Sequence, residues 1–118
     1  MTWELFTEKK YAFGKPRVTI MKSGGILINK SCIAEFIKDK KFLNLYYNPE
    51  KKLLGIKPVN AEETYSYKIS EGARKTVIAI STISFFRKHK IDYENLTDRT
   101  FDAVWNDEDK LITIALGS

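Results

Sequence analysis

The sequence predicts a β-rich α+β domain: two tandem strand-strand-helix-strand-strand repeats forming one pseudo-twofold barrel. Three observations predict it. A stretch from Gly24 to Ile37 reads as a glycine turn, a short strand and a short helix, and it returns fifty residues later without a gap. Ile28 matches Ile78, Ser31 matches Ser81, Ile33 matches Ile83, Phe36 matches Phe86 and Lys38 matches Lys88. A second match follows at an offset of 58: Tyr47 with Trp105, Asn48 with Asn106, Glu50 with Glu108, Lys52 with Lys110, Leu53 with Leu111 and Ile56 with Ile114. One such unit has too little core to stand alone, whereas 118 residues with 43% hydrophobic content can close one core together. The whole chain, 1–118, is therefore read as a single domain.

Residues 1–16 form an extension ahead of repeat one. Trp3, Leu5, Phe6, Tyr11 and Phe13 carry much apolar surface, so the extension is expected to dock as an extra strand or turn. Pro16 biases Lys15 away from helix and ends it. Repeat one spans 17–58. Over 17–21, Val18 and Ile20 alternate with Thr19 and Met21, the period-2 pattern of a half-buried strand. Lys22 to Gly25 is a hairpin turn, and 26–30 is its returning strand. Ser31 is the expected helix cap. Cys32, Ile33, Phe36 and Ile37 then make an apolar stripe at helical spacing. Residues 42–47 form a third strand, rich in aromatics. Asn48 to Lys51 is turn chemistry, and 52–57 is a fourth strand that Pro58 stops.

Residues 59–64 connect the halves. Repeat two, 65–116, runs in the same order: strand 65–69, turn 70–74, strand 75–80, a helix capped by Ser81 or Thr82 and carrying Ile83, Phe85 and Phe86, then strands 100–105 and 110–116 around the turn at Asn106. Residues 92–99 are an eight-residue excess over repeat one.

The net charge is +5, and it is unevenly spread. Residues 15–58 hold ten Lys and Arg against three acids, whereas 59–118 hold eight against ten. A basic half beside a mildly acidic one polarises the surface and favours a polyanion such as nucleic acid. The alternative for the same lysines is a solvated face that only keeps the chain soluble. One cysteine, Cys32, leaves no internal disulfide, which suits a reducing cytoplasm. No apolar run reaches the roughly 18 residues needed to span a bilayer, so no membrane contact is expected. The first residues lack the pattern of a signal peptide.

Repeat one resembles the AbrB/MazE swapped-hairpin family of small DNA-binding domains. Gly24, Ile26, Ile28 and Lys30 fall in register with that family's glycine-aliphatic-lysine pattern. Cys32 and Phe36 take the buried helix positions, and 43–47 with 53–57 take the closing hairpin. Asn29 stands where the family carries proline, and Ile33 where a helix arginine is common. The family dimerises; this chain would carry both units itself as a pseudo-dimer. The resemblance implies that the first hairpin and the start of the helix face a DNA major groove. Arg17, Lys22 and Lys30 would then meet phosphates or a guanine edge, with Arg74, Lys75 and Arg87 as approximate counterparts in repeat two. Double-psi barrels of adaptor domains share the duplicated topology and bind proteins.

Lys40 and Lys41, with Lys38, follow the first helix, where cations also complement the helix dipole. Tyr46, Tyr47 and Trp105 could stack on single-stranded bases if exposed, as aromatics beside lysines do in PC4-like single-strand binders; their other role is core. His89, the single histidine, makes no zinc site with Cys32 alone. Asp107, Glu108 and Asp109 lack EF-hand spacing. Asn95-Leu96-Thr97 is a formal glycosylation acceptor. There is no P-loop, nucleophile elbow or dinucleotide fingerprint, so no enzyme, metal or cofactor is expected. The sequence thus points to a non-enzymatic, cytoplasmic nucleic-acid-binding protein, such as a small AbrB-like transcription regulator. The alternatives are a protein-interaction module, either a barrel adaptor or a phage- or plasmid-type accessory factor with a host-protein partner, and a single-strand binder.

Overall fold

Strands β1 (Arg17–Ile20) and β2 (Gly25–Ile28) form an antiparallel hairpin in which Val18 lies opposite Ile28 and Ile20 opposite Ile26. All four side chains are fully buried, while Arg17 between the turns of the pleat is exposed. The alternation read from the sequence is therefore the burial pattern of the strand. The structure is a computed structural model and describes residues 2–5, 14–69, 77–96 and 98–116.

After the hairpin, helix α1 (Lys30–Cys32) passes into a wider π turn over Ile33–Ile37, closed by the Lys38 N–H donating to the Ile33 carbonyl at 2.7 Å. The cap is Asn29, not Ser31: Asn29 is extended and its Oδ1 accepts from the Cys32 N–H at 2.9 Å. Ser31 is buried within the first turn. Asparagine caps as well as serine, and its amide also reaches two further backbone groups, which a hydroxyl could not do from there.

β3 (Phe42–Asn48) and β4 (Leu53–Val59) make a long hairpin. Pro58 does not stop β4; it pairs with Leu43 inside it. The physical reason is position. β4 pairs with the last strand only over Leu53 to Ile56, so beyond that point its other side is an edge and a missing N–H costs nothing there. The expected strand 65–69 is shorter, β5 (Tyr67–Lys68). β6 (Ile78–Ser81) and α2 (Ile83–Lys88) follow, then a 3-10 turn at Tyr93–Asn95 within the excess segment. The single strand expected over 100–105 is two: β7 (Thr100–Asp102) and β8 (Val104–Asn106). Between them Ala103 turns its N–H out of the ladder to the Pro16 carbonyl at 3.0 Å. β9 (Leu111–Ala115) is last.

The strands form two antiparallel sheets, ordered β6-β2-β1-β7 and β5-β3-β4-β9-β8. The break at Ala103 lets one run of chain serve as an edge of both. No ladder joins β5 to β6 among the described residues, so the sheets form no closed barrel there. Both halves of the chain contribute to one core of Val18, Ile20, Ile28, Ile37, Leu54, Ile56, Phe86, Ile112 and Ile114, all fully or almost fully buried.

Residues 2–5 do not dock as expected. Trp3 and Leu5 are 86% and 87% exposed. Phe6, Tyr11 and Phe13 lie outside the described residues.

Candidate nucleic-acid interface

Asn29 organises the basic end of the first hairpin. Its Oδ1 accepts from the Arg17 N–H at 3.0 Å, and its Nδ2 donates to the Lys15 carbonyl at 2.8 Å. The Asn29 N–H itself donates to the Arg17 carbonyl at 3.1 Å. One side chain thus ties the entry to β1 to the start of α1. The exposed residues Lys15, Arg17 and Lys30 are drawn around it. The Arg17 guanidinium Nε lies 3.4 Å from an Asp102 carboxylate oxygen, with both side chains more than half exposed. An ion pair in open water is weak, so a phosphate can compete for Arg17.

Lys22 lies elsewhere. It sits on the β1–β2 turn, at the opposite end of the hairpin from Arg17 and Lys30, about 13 Å away along four residues of strand. There the hairpin meets the second half of the chain. Gly24 accepts from both the N–H and the hydroxyl of Thr82, at the start of α2. Arg87 is exposed on α2, one turn beyond Ile83, the residue that packs on Gly24. Thr82, expected as a helix cap, makes no cap bond and instead ties the helix to this turn. Arg74 and Lys75 lie outside the described residues. Lys40 and Lys41 follow the π turn; Lys40 donates its N–H to Ile37, and the Lys41 carbonyl accepts from Ile69. They are set apart from Asn29 by the length of the helix. The first-hairpin cations are therefore at two ends rather than on one patch.

The aromatics also separate. Trp105 stacks on Phe36 at 5.5 Å, and Tyr47 meets His89 at 5.2 Å, so both are packing residues. Tyr46 is 47% exposed. It borders a groove of about 240 Å³ on the outward face of the five-stranded sheet, beside Leu53, Gly55, Leu111 and Thr113, with Lys51 and Asp109 at the rim. At the hairpin tip, Asp107 is held below the usual carboxylate range by its hydrogen bond to Lys110 and that residue's charge.

Burial pushes the Cys32 thiol up to about 12, the opposite of a reactive thiolate. Among the described residues no three His, Cys, Asp or Glu side chains are grouped to hold a metal, and no helix is long and apolar enough to cross a membrane. Lys15 and Asn29 were not singled out as site residues by the sequence. The available signal was an asparagine before Lys30-Ser31-Cys32, where a capping residue belongs. A scan against protein-family models returns no match, and searches of curated proteins and of solved structures return none either.

Proposed function

We propose that this chain is a non-enzymatic nucleic-acid-binding protein, a single-chain pseudo-dimer of two AbrB-like units that contacts phosphates through basic residues at the ends of its first hairpin. The pairing of the two halves supports the pseudo-dimer. Ile28 lies opposite Ile78, its own counterpart at offset 50, and Gly55 lies opposite Thr113, its counterpart at offset 58. Counterparts face each other when two units are related by a twofold axis. The hairpin tips agree: Lys51 N–H donates to Asn48 Oδ1 at 3.1 Å, and Asp109 N–H donates to Asn106 Oδ1 at 3.0 Å.

The observation that carries the functional reading is the Asn29 bridge, which gathers Lys15, Arg17 and Lys30 at one end of the hairpin. Pre-ordered backbone beneath exposed cations is a fitting surface for phosphate oxygens. Lys22 and Arg87, from opposite halves, supply the other end.

Fluorescence anisotropy with labelled duplex and single-stranded DNA at two salt concentrations tests this. Affinity should fall steeply with salt, and Arg17→Ala, Lys22→Ala or Lys30→Ala should each lower the log–log salt slope by about 1. Asp102→Asn, which removes the acid competing for Arg17, should tighten binding a few-fold. Absence of binding to either form at low salt would refute the proposal.

A further inference from the structure

Trp105 and Tyr47 are counterparts at offset 58, but their surroundings differ. His89, at the end of α2, lies between two rings, 5.2 Å from Tyr47 and 4.7 Å from Phe85. A flat nitrogen heterocycle of the chain itself thus fills the space beside that strand aromatic. Beside Trp105 the end of the first helix supplies no such ring. Phe36 stacks on Trp105 at 5.5 Å, and the residues that follow are Ile37, Lys38, Asp39 and Lys40. A cleft of about 380 Å³ opens there, walled by the Phe36–Trp105 pair. That volume lies within the roughly 300–1,000 Å³ of small-molecule sites. The π turn shapes it. A π turn holds one residue more than a regular helical turn, a device frequent at functional sites. Ile37 takes the fully buried position and Phe36 stays half-buried, whereas Phe86, its counterpart in the regular helix α2, is fully buried.

The rim narrows the choice of ligand. Lys38 is exposed and Lys40 half-buried, and neither ammonium makes an ion pair among the described residues. Glu35 and Asp39 border the same cleft. Two cations and two acids cancel, so a plain anion gains little here. A ligand that carries a phosphate together with N–H donors on a flat ring would engage both signs. Glu35 and Asp39 hold other contacts already, but a carboxylate has about four acceptor sites and can take a further bond.

We propose that this cleft binds a nucleotide whose base carries an exocyclic amine. The base ring lies against the Phe36–Trp105 wall, Glu35 or Asp39 accepts from the amine, and Lys38 and Lys40 hold the phosphate. The nucleotide is either free or an unpaired member of a strand, and only the second case rests on the nucleic-acid reading above.

Tryptophan fluorescence tests it. The chain has two tryptophans, and Trp3 is exposed, so Trp3→Phe leaves Trp105 as the sole reporter without touching the core. Titration with dAMP and with oligodeoxyadenylate should quench Trp105, after correction for absorbance with free tryptophan amide. TMP and oligothymidylate should bind several-fold more weakly. Lys38→Gly and Lys40→Ala should each weaken dAMP binding about three- to ten-fold, whereas Lys88→Ala, which removes the same charge from α2, should not. Quenching by dAMP without binding of any strand would assign the site to a free nucleotide and refute the strand reading alone. Strand binding seen by anisotropy, with Trp105 unquenched by strand or dAMP, would overturn the cleft and leave the phosphate contacts of the first hairpin standing. Equal affinity for the thymine ligands, or equal losses in Lys38→Gly, Lys40→Ala and Lys88→Ala, would also overturn the proposal.

Discussion

Thr82 closes on Gly24 across 58 residues of sequence, its N–H donating to the Gly24 carbonyl at 2.9 Å and its hydroxyl donating to the same oxygen at 3.0 Å. Gly24 holds φ at +96°, and a Cβ built on it would collide with the Ile83 side chain. The first hairpin is thus locked to the second helix at a point where only glycine fits. Gly24→Ala should cost about 2–4 kcal/mol, from the positive φ together with overpacking. Urea unfolding measures it. Adding Ile83→Ala should recover part of the overpacking and none of the backbone cost, so a double mutant no better than the sum of the two single changes would contradict the contact.

Asn29 spends its side chain on three backbone groups, so Asn29→Ala should destabilise by about 1–2 kcal/mol. Asn29→Asp keeps the two accepted bonds but sets a carboxylate oxygen against the Lys15 carbonyl in place of the donated one, so it should recover only part of the loss. Because Asn29→Ala leaves the net charge unchanged, any weakening of DNA binding in this variant reports the placement of Lys15, Arg17 and Lys30 rather than their number.

Cys32 is fully buried, with its thiol pushed from 9.0 to about 12 by desolvation. The sign follows from linkage. The folded state holds the proton more tightly than the unfolded state, so this stability is complete below about pH 9. It is lost as pH rises towards 12, at no more than about 1.4 kcal/mol per pH unit. The difference in stability between wild type and Cys32→Ala should therefore narrow between pH 9 and pH 11. An equal difference at both pH values would show that the thiol titrates normally. In the folded protein at pH 8, iodoacetamide should label Cys32 only as fast as the chain opens.

Lys38 ends the π turn with φ +55° and ψ −119°, a conformation costly for any residue with a Cβ. Lys38→Gly should stabilise the fold by about 1 kcal/mol, and Lys38→Ala, which keeps the Cβ, should not. The contrast in thermal unfolding separates relief of strain from removal of a charge.

The sequence by itself determined what depends on neighbours a few residues apart. Alternation placed Val18 and Ile20 on the buried face of the first strand, and both are fully buried. The asparagine turns at Asn48 and Asn106 formed as their chemistry requires, because an Asx side chain bonds its own backbone two or three residues on. Tertiary structure decided what depends on distant partners. Ala103 splits a strand because Pro16 takes its N–H. Pro58 stays in β4 because β9 has already ended beside it. Asn29 became a bridge because Lys15 and Arg17 run past it. Lys22 parted from Arg17 and Lys30 because a four-residue strand separates the ends of a hairpin. Trp3 and Leu5 carry enough apolar surface to be expected to dock as an extra strand or turn, yet the described core closes without them. Hydrophobicity states that a side chain should be covered, and only the arrangement of the whole chain decides whether anything is there to cover it.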